Sequence, residues 1–206
     1  MTERPVQLIL ASTSPRRRQL LSEYGFEHAA MKPPIDDGEL QRGRVGAVGW
    51  VASLAWLKAR SVWDRLDGAQ ARSSAVLAAD TVVHRDGEIL GQPRDEDDAR
   101  RIVSTLTDGT HHVLTGVCVH AHGERIWFVD RSEVTVGEVT AEQIERYLQT
   151  GGWAGKAGAY NLHERIADGW PIEYRGDDTS IMGLPMQRLV PELTRLGVHP
   201  NPEAVR

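Results

Sequence analysis

Residues 6–11 form a short apolar run, the pattern of a buried strand. A polar turn follows, then a helix. Ser14 suits its N-cap and Pro15 its first position, where a missing N–H costs nothing. Leu20, Leu21 and Tyr24 give this helix an apolar side, and Gly25 suits its end. Met31-Lys32-Pro33-Pro34-Ile35-Asp36-Asp37-Gly38 has the composition of a loop. Over residues 41–66, Val48, Val51, Ala55, Val62 and Leu66 recur at helical spacing, and Lys58 falls on the same stripe. Residues 74–83 are a nearly continuous apolar run, as in a strand covered on both faces, and Asp80 interrupts it. Asp86-Gly87 signals a hairpin into residues 88–90. A helix over 95–106 comes next, with acidic residues in its first turn, where the helix dipole favours them. Residues 111–120 and 124–136 read as two strands joined at Ala121-His122-Gly123. Thr140-Ala141-Glu142-Gln143 is a capping box that starts a helix ended by Gly151. A glycine-rich segment fills 151–160. Acidic, hydroxyl and glycine residues fill 176–185, ahead of a last helix over 185–196. Residues 201–206 have the look of a frayed end.

The chain has 206 residues, 40% of them hydrophobic, enough for one large domain or two small lobes sharing a core. A net charge of −5 argues against a general nucleic-acid surface but leaves room for a basic pocket holding a small anion. Cys118 is the only cysteine, so no internal disulfide forms and a reducing interior fits. Nothing near it in sequence would lower its pKa, so it reads as a core residue. There is no charged leader and no apolar run near ~20 residues, so neither a signal peptide nor a membrane span is expected.

The polar positions add candidate chemistry. Arg16, Arg17 and Arg18 crowd the first turn of the first helix, where a cation is disfavoured by roughly 0.3–1 kcal/mol when exposed. Free N–H groups, Ser12, Thr13, Ser14 and guanidinium groups would suit a bound phosphate. A solvated basic helix start is the other reading. Asp36 and Asp37 would serve a divalent cation or a solvated turn. Lys58, on an inward stripe, needs an anionic partner or a route to water. Asp80 would be desolvated in its strand, so it should be paired, metal-bound or at a strand end facing a cleft. His111, His112, His120 and His122 lack helical metal-ligand spacing and a cysteine partner, which favours ordinary strand and turn histidines over a metal site. Four glycines surround Lys156 and would let backbone approach a phosphate, or simply make a flexible loop; the phosphate-loop spacing is absent.

Five stretches together resemble the Maf family of nucleoside triphosphate pyrophosphatases: Leu10-Ala11-Ser12-Thr13-Ser14-Pro15-Arg16-Arg17, Leu54-Ala55 with Lys58-Ala59, Ala79-Asp80-Thr81-Val82-Val83, Lys156-Ala157-Gly158-Ala159-Tyr160 and Gly183-Leu184-Pro185. They occur in family order and span nearly the whole chain. The resemblance implies one domain over residues 1–206 with a mixed α/β fold like that of inosine triphosphate pyrophosphatases: an elongated sheet, flanking helices and two lobes around a cleft. It also implies a cytoplasmic enzyme, often a homodimer, that turns NTP and water into NMP and pyrophosphate with Mg²⁺ or Mn²⁺. No nucleic-acid or membrane partner is implied. By the same resemblance Asp80 is the proton acceptor and a metal ligand, aided by Asp37, which stands where relatives commonly have Glu. Ser12, Ser14, Arg16, Arg17, Lys58, Thr81, Lys156 and His163 are then substrate-binding residues. Arg16 and Thr81 match the dTTP/UTP-preferring branch, so the resemblance implies dTTP/UTP or modified nucleotides as substrates. Two positions depart: Gln92 stands where relatives usually have Lys, and His163 where the branches have Gln or Glu. The whole segment Asn161-Leu162-His163-Glu164-Arg165 departs with it. The competing expectation is a nucleotide-binding regulator of septum formation with little or no turnover.

Overall fold

Caps and turns that depend on three or four neighbouring residues set most element ends. The computed structural model describes residues 6–35 and 40–201. Seven strands pair in the order β2-β1-β3-β5-β6-β7, with β4 on β3; they are β1 (Gln7–Leu10), β2 (His28–Ala30), β3 (Ser74–Arg85), β4 (Glu88–Leu90), β5 (Gly109–Ala121), β6 (Glu124–Val136) and β7 (Ile172–Arg175). The helices are α1 (Pro15–Glu23), α2 (Ala47–Trp63), α3 (Gly68–Ser73), α4 (Glu96–Leu106), α5 (Ala141–Leu148), α6 (Leu162–Ala167), α7 (Asp178–Ile181) and α8 (Met186–Arg195). The sheet is mixed: β2, β1 and β3 run parallel, whereas β4 and β7 pair antiparallel. The expected mixed α/β class is therefore observed. The chain forms two compact units, residues 1–80, 115–130 and 183–206 in the first and 81–114 and 131–182 in the second. No helix among the described residues is long and apolar enough to cross a membrane.

In the first unit, Ser14 Oγ caps α1 at the Arg17 amide and Pro15 takes the opening position, as the sequence predicts. Gly25 closes the helix with φ of 77°. Tyr24 is exposed rather than packed, because the chain has already left the helix there. Helix α2 starts at Ala47, not near residue 41. Gly43 adopts φ of 59° and Gly46 is the N-cap, so the backbone turns before the helix begins. Val48 is consequently 56% exposed, and the inward stripe is Val51, Leu54, Ala55, Ala59 and Val62. Ala55, Ala59 and Val62 of that stripe pack with Ile9, Ala11, Val76, Ala78 and Cys118. Alternation along β3 then puts Asp80 on the face of Val76 and Ala78, toward α2. The Cys118 thiol is pushed up to about 11 by burial, as suits a core residue.

In the second unit, Asp95 caps α4, and Thr140 and Gln143 complete the capping box of α5. The hairpin between β3 and β4 turns on Asp86 and Gly87, both with positive φ. Ile102, Val103, Leu106, Ile144, Tyr147, Leu148 and Trp170 belong to its core. His111 is fully buried there, with Nε2 2.8 Å from the Tyr160 hydroxyl. Burial pushes the His111 pKa down to about 4. The unfolded chain therefore binds more protons than the folded one between that value and the ordinary histidine pKa of about 6.5, so stability falls as pH drops through this window. His111→Gln is expected to flatten that limb. Unfolding free energies measured by urea at pH 7 and pH 5 would check it, and an unchanged slope would remove His111 as the cause.

Candidate active site

Strand β1 ends at Leu10, level with Leu77 of its parallel neighbour β3, and the Ala11 amide donates to the Leu77 carbonyl across 2.7 Å. Ser12, Ser14 and the first turn of α1 therefore leave the sheet at the edge toward which β3 continues to Asp80. Asp80 lies only three residues beyond Leu77, roughly 10 Å along the strand. This is the carboxyl edge of the parallel strands, where open α/β sheets bind ligands. Strand β2 ends on the same edge, at Ala30 opposite Leu10. The loop that leaves it carries Asp36 and Asp37, which lie outside the described residues.

Lys58 projects from α2 and places Nζ 2.5 Å from Asp80 Oδ1. Their side chains are 13% and 10% exposed. Each thus answers the other's need for a counter-charge, and the two readings of Lys58 resolve in favour of a partner rather than the rim. Ser12 is buried and its Oγ accepts from the Ser14 amide at 3.1 Å. Ser14 Oγ in turn accepts from the Arg17 amide at 3.5 Å. Arg17 turns its Nε to the Gly183 carbonyl, 3.0 Å away, and its Nη1 lies 3.5 Å from Ser12 Oγ. The Gly183-Leu184-Pro185 motif is thereby brought against the start of α1. Arg16 is half-buried on the same turn and Arg18 is exposed. In the first unit, then, Ser12, Ser14, Arg16, Arg17, Lys58 and Asp80 are gathered at one edge. The acceptor role of Gly183 was not anticipated, because a backbone carbonyl has no sequence signature. Thr81 alternates to the strand face opposite Asp80.

The second unit carries the other candidates. Lys156 Nζ pairs with Glu164 Oε2 at 2.7 Å, and His163 Nε2 lies 3.2 Å from Asp178 Oδ2. Asn161 caps α6, so Glu164 sits in its first turn. Glu164 and Asp178 were not singled out in the sequence; the one signal for Glu164 is that a lysine in a glycine-rich turn needs an anion, and Asp178 has none. The histidines are dispersed in role: His111 meets Tyr160, His112 meets Arg131 across 2.8 Å, His120 stacks on Trp63 and His122 is an exposed turn residue. Among the described residues no three His, Cys, Asp or Glu side chains could jointly hold a metal ion.

Fold and site define a mixed α/β protein with a part-buried acid–ammonium pair at the sheet edge that also carries an arginine-rich helix start. The chain belongs to the Maf-like protein family, whose profile matches residues 7–196. A dTTP/UTP pyrophosphatase of Symbiobacterium thermophilum is 37% identical over 93% of this chain and 94% of its own length. That of Halalkalibacterium halodurans is 39% identical over 89% and 92%. The Pyrococcus horikoshii enzyme of that name is 35% identical over 95% of this chain and 100% of its own. Among solved structures, the Staphylococcus aureus Ham1 protein aligns with a TM-score of 0.38 at 10% identity, covering 62% of this chain and 69% of that one.

Proposed function

We propose that the protein is a nucleoside triphosphate pyrophosphatase acting on dTTP and UTP, splitting the bond between the α and β phosphates. The observation that carries this reading is the Lys58–Asp80 pair at the carboxyl edge of the parallel strands. Asp80 accepts a proton from water as the water oxygen attacks the α-phosphorus. The bridging oxygen keeps the electron pair of the breaking bond and leaves with pyrophosphate, and NMP remains. Arg16, Arg17 and the amide groups at the start of α1 suit the roughly four negative charges of the substrate. Lys58 stabilises the ionised base. Ser12, Ser14, Thr81 and Lys156 are assigned to substrate on the family motifs, and His163 because it stands where the family's branches have Gln or Glu.

A hard divalent cation takes one or two carboxylates and completes its shell with water and phosphate oxygens, and Asp80 offers one carboxylate at this edge. Asp80 would hold Mg²⁺ or Mn²⁺, with Asp37 as the second carboxylate. Bound there, the ion supplies charge neutralisation and polarises the phosphoryl oxygens. The cytoplasmic setting and a homodimer belong to the same proposal, on the same resemblance.

The test is incubation with a panel of NTPs and Mg²⁺, with pyrophosphate and orthophosphate assayed separately. Pyrophosphate from UTP and dTTP in preference to purine nucleotides is expected. Orthophosphate instead would mean a different bond is cut. Tight nucleotide binding without either product would favour the regulator of septum formation.

A further inference from the structure

The segment that carries Lys156 is held in a conformation its sequence would not choose. Gly158 has φ of 74° and the next residue, Ala159, has φ of 60°. A left-handed backbone is routine for glycine and disfavoured for alanine. Ala159 is also completely buried, so the cost is not offset by hydration of its carbonyl. One side chain meets that carbonyl: the Tyr147 hydroxyl donates to Ala159 O at 2.8 Å in a buried bond. Tyr147 is itself fixed. It is 2% exposed on α5, the Arg165 guanidinium lies 4.1 Å over its ring, and Trp170 meets the ring edge-on. The turn is held elsewhere too. The Gly158 amide donates to Gly91 O at 3.0 Å, and a Cβ on Gly158 would stand 2.7 Å from Val83 Cγ2. The Ala159 amide closes the turn on the Lys156 carbonyl at 3.0 Å. Lys156 therefore leaves a clamped base, with its side chain 16% exposed and its ammonium on Glu164.

We propose that Tyr147 is a positioning residue for Lys156: its hydroxyl locks Ala159 left-handed and so presents the lysine in one orientation to the substrate's phosphates. This rests on the reading that Lys156 meets substrate. A clamped cation loses little freedom on binding, so the hydroxyl acts on affinity rather than on the chemical step. A tyrosine serving only the core would act on stability alone.

The experiment uses the full chain with UTP and Mg²⁺. Tyr147→Phe, which keeps the ring and removes the hydroxyl, is expected to raise KM about tenfold while kcat stays within about twofold. Amide exchange over residues 156–160 is expected to speed up. Adding Ala159→Gly to Tyr147→Phe is expected to recover most of the KM, because glycine holds the left-handed turn unaided. Unchanged exchange, an unchanged KM, or a raised KM that glycine does not recover would overturn the proposal. Lys156→Ala separates the two readings. If it raises KM while Tyr147→Phe does not, Tyr147 is not the positioning residue. If Lys156→Ala leaves KM unchanged, the assignment of Lys156 to substrate is what fails.

Discussion

Asp80→Asn is expected to cut pyrophosphate release from UTP by roughly 10²–10⁴-fold, the usual worth of a positioned general base. Asparagine has nearly the same volume, and its amide oxygen still accepts from Lys58, so the strand and its packing persist. What it loses is the ability to take the attacking water's proton and to neutralise a charge. Lys58 is only 13% exposed and would lose its carboxylate partner. A moderate fall in stability, about 1–3 kcal/mol, is expected beside the kinetic loss. The two effects separate by experiment. The rate is measured at saturating Mg²⁺ with KM and kcat resolved, and the stability by thermal melting of the same sample. A variant that melts early yet turns over at the wild-type rate would mark the pair as structural and remove Asp80 as the base.

Local chemistry made element ends legible in both units. Ser14, Pro15 and Gly25 bound α1, and Thr140 with Gln143 opens α5, because each cap is decided within three or four residues. Periodicity was less reliable at its ends. Val48 fits the α2 stripe by spacing, but Gly43 and Gly46 delay the helix and leave it exposed. Elements of three to six residues, such as β2, α3 and α6, are too short to show a period. The site was legible as needs rather than as partners. Asp80 and Lys58 each demanded a counter-charge, yet only the packing of α2 on β3 shows that they answer one another. The bond from Arg17 to Gly183 joins positions 166 apart, a distance over which no local pattern carries information.

Gly116→Ala is expected to damage stability and turnover together, through a contact that no sequence motif announces. Gly116 lies in β5 beneath α2. A Cβ there would stand 2.5 Å from the Val51 carbonyl oxygen, 2.8 Å from its carbon and 3.0 Å from the Ala52 nitrogen. These are backbone atoms inside a helix, so no rotamer change relieves the overlap and α2 must lift. Overpacking of this kind costs about 1–3 kcal/mol, sometimes more. The second effect follows from what α2 carries. Lys58 is seven residues beyond Val51 on the same face, roughly 10 Å along the helix. An ångström of displacement at Val51 is enough to disturb the 2.5 Å contact with Asp80. Misplacement by about that much can cost on the order of 10²-fold in rate. Urea unfolding gives the first quantity, and pyrophosphate release at low temperature, normalised to folded protein, gives the second. Gly91→Ala is the control: its Cβ would meet nothing within 4 Å, so a change within about 0.5 kcal/mol is expected. If Gly116→Ala proved as stable and as active as that control, the close approach of α2 to β5 would not be what seats Lys58 on Asp80.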